Sequence, residues 1–212
     1  MFETGNSMMK NFIYPLLLLA FTGILSYHAY GDVTLEGQAG RKWGSINGKN
    51  YQANEYRVGG HGRFNDAPIS FGISLGLTDF KNADFSENNG TITKKTDTAY
   101  GVDIAGEIKA WLPQTVTGPS WTPYARIAHT LYSDYQMSGN LTSGPDQRSY
   151  KIKGVSPGYT LAAGTSFRLT DHSRATVEYS FQRKKLNLTG GDDHLKGWTT
   201  TKGIMVGFNT TI

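Results

Sequence analysis

Ile69-Ser70-Phe71-Gly72-Ile73-Ser74-Leu75-Gly76-Leu77-Thr78 separates into two rows. Ile69, Phe71, Ile73, Leu75 and Leu77 fall on one parity, and Ser70, Gly72, Ser74, Gly76 and Thr78 on the other. A period of two held over this length is the signature of a strand with two unlike faces, because a helix would scatter these residues around its circumference. The same alternation recurs along the chain. Val33, Leu35, Gly37, Ala39 and Trp43 oppose Thr34, Glu36, Gln38 and Lys42, while Tyr56, Val58 and Phe64 oppose Glu55, Arg57, His61 and Arg63. Tyr100, Val102, Ile104 and Ile108 oppose Asp103, Glu107 and Lys109, and Ala125, Ile127 and Leu131 oppose Tyr124, Arg126 and Thr130. Tyr159, Leu161, Ala163 and Phe167 oppose Thr160, Gly164, Ser166 and Arg168, and Ala175, Val177, Tyr179 and Phe181 oppose Thr176, Glu178, Ser180 and Gln182. Ile204, Val206, Phe208 and Ile212 close the series. Eight strands are expected.

The connections differ in length. Residues 65–68 and 170–173 are tight turns rich in Asn, Asp, Pro and Ser, and 112–120 is a medium link with two prolines. Residues 44–53, 79–97, 133–153 and 184–196 read as longer polar loops. Short turns at one end, long loops at the other and an even strand number are the layout of an outer-membrane barrel.

The N-terminus reads differently. Lys10 precedes an apolar run from Phe12 to Leu25, followed by small residues at Ala29 and Gly31. This is the pattern of a cleavable signal peptide over residues 1–31, with 1–7 as an upstream extension, leaving a single barrel domain over 32–212. The chain of 212 residues has no cysteine, so disulfides and thiolate metal sites are excluded. With 12% aromatic and 18% charged residues it is not the composition of a disordered chain.

Alternation alone also fits a soluble barrel with an apolar interior, so the faces must be weighed. The non-apolar rows are Ser, Gly and Thr, where a water-facing surface would carry Lys and Glu. Small residues suit the narrow interior of an eight-stranded barrel. The charged members Glu36, Arg57, Asp103, Glu107, Arg126, Arg168 and Glu178 are of both signs and are expected to pair across the lumen. The apolar row then faces lipid, with Trp43, Phe64, Tyr100, Trp111, Trp121, Phe167, Phe181 and Trp198 near strand ends as interfacial girdles.

Over its whole mature length the chain resembles the small outer-membrane β-barrels of the OmpA/OmpX type. The final strand, Ile204, Val206, Phe208, Thr210 and Ile212, has the alternate spacing that such proteins present to the barrel-assembly machinery, with Ile in place of the usual terminal aromatic residue. The resemblance implies an antiparallel up-and-down barrel in the outer membrane of a Gram-negative cell, long loops outward, monomeric and without a cofactor. It also raises enzymatic alternatives. His129 and Ser133 lie near the outer end of a strand, where lipid A deacylases of similar architecture carry a His/Ser pair, but the spacing differs from their motif and no acidic partner is identifiable. Asp192-Asp193-His194 resembles half of the site of the ten-stranded omptin proteases, without the second acidic pair, and a polar turn explains it. A narrow channel, sensitive to changes at Glu107 or Arg126, is a further alternative. No metal-ligand spacing occurs.

Taken with their flanks, as residues 41–52, 79–97, 133–153 and 183–196, the long-loop segments hold 13 basic and 8 acidic residues. Arg41, Lys42, Lys94, Lys95, Lys151, Lys153, Lys184 and Lys185 are expected at the rim, where lipopolysaccharide phosphates or a host surface ligand would meet them. Export removes the chain from nucleic acid.

Overall fold

A computed structural model describes residues 31–46, 48–64, 67–81, 92–112, 120–143, 145–191 and 193–212. The expected signal segment, 1–31, lies outside the described residues except for Gly31, which opens the first strand. Nine strands follow: β1 (Gly31–Ile46), β2 (Lys49–Phe64), β3 (Ile69–Lys81), β4 (Ile92–Trp111), β5 (Trp121–Ser143), β6 (Asp146–Val155), β7 (Gly158–Arg168), β8 (Ser173–Gly190) and β9 (Asp193–Thr211). Each pairs antiparallel with its neighbours, and β1–β9 together with β4–β5 close the ring.

The ninth strand does not add a ninth stave. β5 pairs through its lower half with β7 and through its upper half with β6, and β8 does the same on the other side. β6 and β7 are therefore one stave interrupted at Ser156-Pro157, and the barrel is eight-staved. Pro157 has no N–H to give a ladder. The break is mended locally: the Ser156 N–H donates to Ser133 Oγ at 2.7 Å, and the Lys185 N–H donates to the Pro157 carbonyl at 2.8 Å.

The wall has the orientation that the alternation requires. Ile73 and Val177 are 46% and 43% exposed, while their neighbours Ser74 and Glu178 are 4% and 0% exposed. On β5 the outward apolar residues run from Trp121 to Tyr132, about 28 Å of height at ~3.3 Å per residue and a tilt near 40°. That matches the ~25 Å apolar band of membrane barrels. Trp43, Tyr100, Trp121, Phe167 and Trp198 face outward as expected. Trp111 does not: its ring lies 5.0 Å from that of the buried Tyr124, with the Lys109 ammonium 5.3 Å from its centre. The side chain of Phe64 lies outside the described residues.

Above the belt the strands continue, and here the expected long loops are corrected. Within 44–53, 133–153 and 184–196 the antiparallel ladders run on to the pairs Ile46–Lys49, Ser143–Asp146 and Gly190–Asp193. Gly48 at φ 79° and Gly191 at φ 59° occupy the left-handed region that such tight turns demand. In 79–97, residues 82–91 lie outside the described residues. β8 shows why the sequence suggested a loop. Its inward row runs Thr176, Glu178, Ser180, Gln182, Lys184, then Leu186 and Leu188; its outward row runs Val177, Tyr179, Phe181, then Arg183, Lys185, Asn187 and Thr189. The period persists while the polarity inverts, because water replaces hydrocarbon outside. The inward apolar residues of this projecting part, Ile46, Tyr51, Tyr135, Met137, Ile152, Leu186 and Leu188 among them, form a buried core across the barrel mouth.

β5 makes the same passage with a bulge. Ile104 pairs with Tyr132 and Ala105 with Thr130, so Leu131 is the unpaired extra residue. Leu131 and Tyr132 both face outward, and the parity of the strand switches between them.

Candidate functional site

Alternation drives one row of every stave inward, and the residues it delivers form a charged layer at mid-height. Among the described residues, five acids (Glu36, Glu55, Asp103, Glu107, Glu178) and five cations (Lys42, Arg57, Lys109, Arg126, Lys184) are buried, together with His61. Formal charge balances, as a low-dielectric interior demands.

Glu178 is the hub. Arg126 donates to it from Nη2 at 2.7 Å and from Nε at 3.0 Å, Arg57 from Nη1 at 3.3 Å, and the Tyr124 hydroxyl at 3.2 Å. Arg126 also donates from Nη1 to Glu107 at 3.0 Å, and Ser74 donates to the same carboxylate oxygen. Glu36 accepts from Lys109, Gln38 and Arg57, and His61 Nε2 sits 3.3 Å from Glu107 and 3.9 Å from Glu36. Higher up, Lys42 pairs with Glu55, and Lys184 pairs with Asp103, which also accepts from the Tyr135 hydroxyl at 2.7 Å. The interior is nearly full. Cavities of about 30 Å³, between the two charged tiers, and about 10 Å³, beneath the apolar core, lie inside the barrel. Each has room for about a water molecule.

The lumen set named from sequence therefore divides. Glu36, Arg57, Glu107, Arg126 and Glu178 share one network, and Asp103 belongs to the upper tier. Arg168 is corrected: it is exposed at the lower turn and pairs with Asp171. Two rim assignments are corrected as well, since Lys42 and Lys184 are buried lumen cations. Both lie on the inward parity, where a four-carbon stem reaches a carboxylate across the barrel. Lys109, Glu55 and His61 were missed as members. Their parity marked them, but parity alone does not say which inward polar residue is deep and which is near a mouth.

The remaining rim residues separate. Lys151 and Lys153 on β6 and Lys185 on β8 are exposed, and Arg41 on β1 is exposed and donates to Gln52. Lys94 and Lys95 lie on β4, and their side chains fall outside the described residues. The bulge at Leu131 separates the proposed catalytic pair: His129 points out and Ser133 points in. The Ser133 hydroxyl is occupied with the Ser156 N–H. His194 is exposed beside the β8–β9 turn, opposite Thr189, while Asp192 and the Asp193 side chain lie outside the described residues.

Among solved structures, Neisserial surface protein A superposes over 85% of this chain and 98% of its own, at 11% identity and a TM-score of 0.55. The chain has the fold of a small outer-membrane β-barrel of the OmpA/OmpX type. The attachment invasion locus protein Ail of Yersinia pestis is likewise similar to this barrel, over 86% of this chain and 99% of its own, at 11% identity and a TM-score of 0.50. The sequence matches no protein-family model and no curated protein. What is shared at such identity is the barrel fold.

Proposed function

We propose that this is a non-enzymatic outer-membrane protein that works through its outer surface and its projecting end, not through its lumen. On this reading residues 1–31 direct export and are removed, β9 is the strand presented to the assembly machinery, and the barrel is a monomer with the upper hairpins outside the cell. Its partners are the surrounding lipid, the phosphates of lipopolysaccharide and a ligand met by the tall hairpins.

The observation that carries this reading is the filled interior beneath an apolar mouth. Among the described residues, a charge-balanced layer with water-sized cavities, capped by Tyr51, Met137, Ile152, Leu186 and Leu188, argues against a path for a solute. An enzymatic role is disfavoured by the separation of His129 from Ser133 by the thickness of the wall. Two measurements on the mature protein refolded into detergent or lipid test the proposal. Heat-modifiable migration on an unboiled gel is expected, and a planar bilayer should show no discrete conductance. Stable conductance whose selectivity changes in Glu107→Gln or Arg126→Gln would establish a channel instead. Altered lipid A from cells expressing the protein, abolished by His129→Ala, would establish an enzyme.

A further inference from the structure

We propose that the outer wall over β8, β9 and β1, just above the apolar belt, is a binding face for the phosphate-bearing headgroup of an outer-leaflet lipid. The inference deepens the outer-membrane reading above and rests on it. Arg41, Arg183, Lys185 and Lys202 project from these three neighbouring strands together with Trp43 and Trp198, all six exposed. Register places them side by side. Lys202 pairs with Trp43 on one flank and with Phe181 on the other; Lys185 pairs with Trp198; Arg41 lies two residues below Trp43. Cross-strand partners stand ~5 Å apart and diagonal ones ~7–8 Å, so the cations form one patch.

Among the described residues, outward acids above the belt are absent from this face, on β1, β8 and β9 alike. The opposite arc carries Asp79, Asp97 and Asp134, with Lys81 engaged by Asp79 at 2.6 Å. One flank of the face is concave: Trp43, Ser45, Asn50, Gln52, Thr200 and Lys202 are among the residues that bound a cleft of about 550 Å³ over β9, β1 and β2. The Arg183 guanidinium lies 4.9 Å from the centre of the Trp198 ring, which fixes its plane while leaving its edge N–H groups for an acceptor.

Directly below on the same strands come Tyr179 and Val177 of β8 and Ile204 and Val206 of β9, all exposed. The ligand that matches this order, anion against the cations and hydrocarbon against the wall beneath, is an amphiphile in the leaflet. A soluble polyanion would satisfy only the upper half.

The test is retention of lipid. The mature protein is refolded with bisphosphorylated lipid A, washed by detergent exchange, and assayed for bound lipid A. The comparison proteins are the triple variant Arg41→Gln/Arg183→Gln/Lys202→Gln and the opposite-arc variant Lys81→Gln. At roughly fivefold in affinity per cation near an anionic surface, the triple variant should bind about a hundredfold more weakly, with Lys81→Gln unchanged. Dephosphorylated lipid A should bind the parent protein as weakly as the triple variant binds the phosphorylated form. Equal retention by all three proteins overturns the proposal. So does loss of inorganic polyphosphate binding in the triple variant with lipid A retention intact, which would assign the patch to a soluble anion. Heat-modifiable migration is scored on every protein first. Its absence in the parent protein would instead reject the membrane barrel. Its absence only in the triple variant directs the comparison to the three single substitutions, each expected about fivefold weaker.

Discussion

Glu178 is wholly buried and accepts hydrogen bonds from Arg57, Tyr124 and Arg126, so its charge is the one most neighbours depend on. Glu178→Gln leaves two guanidinium groups facing each other with less compensation. It should lower stability by about 3–5 kcal/mol, the scale for breaking a buried pair, read as a shift in the urea midpoint for unfolding from lipid vesicles. Replacing both partners is a different case. Lys184→Met alone leaves Asp103 uncompensated, whereas Lys184→Met with Asp103→Leu should recover most of the loss. Ser133→Ala strands the Ser156 N–H and should cost about 1–3 kcal/mol without altering lipid A, since the hydroxyl is a structural acceptor. Much of this layer was legible, because sign mixture on the inward parity marks a lumen that must neutralise itself. Lys42 and Lys184 were not. Each stands near the place where a strand seemed to end, and a lysine there reads as rim until the strand is known to continue.

The strands themselves explain that misreading. A reader of alternation takes one apolar parity and follows it until it fails, and on β8 it fails at Arg183. The hydrogen-bonded ladder does not fail there. Only the medium outside the wall changes, so the apolar row moves indoors and the hairpin runs on to Gly190. On β5 the same phase change is made by inserting Leu131, which no single-strand pattern foretells because the partner β4 defines it. Deleting Leu131 leaves Thr130 inward and Tyr132 outward as consecutive residues, still paired with Ala105 and Ile104, so Tyr135 and Met137 should stay in the mouth core. The expected result is that the heat-modifiable folded band persists. Leu131→Ala, which keeps the bulge at an exposed position, should retain that band. The turns were legible only as turn chemistry. Gly48 at φ 79° is a position where Gly48→Val should cost about 1–2 kcal/mol in the same unfolding assay.

As a whole the molecule is two barrels in one. Its lower part is apolar outside and ionic inside, and its upper part is polar outside and apolar inside. β5, at 23 residues, rises about 55 Å by the same rise and tilt, well beyond a hydrocarbon core of ~30 Å. Architecture, closure and the lipid-facing parity were all readable, because one physical demand, a backbone satisfied by neighbours and an apolar outer row, repeats on every stave. Height was not readable, since it depends on where that demand stops. The absence of cysteine allows the central claim to be measured cleanly. Single-cysteine variants along β8, carrying a fluorophore in refolded vesicles, can be quenched either by lipid-borne or by water-soluble quenchers. Labels at Val177 and Tyr179 should respond to the lipid quencher alone, and labels at Asn187 and Thr189 to the aqueous one alone. Lipid quenching at Thr176 and Ser180 in place of Val177 and Tyr179, or lipid quenching that continues through Asn187 and Thr189, would contradict the account.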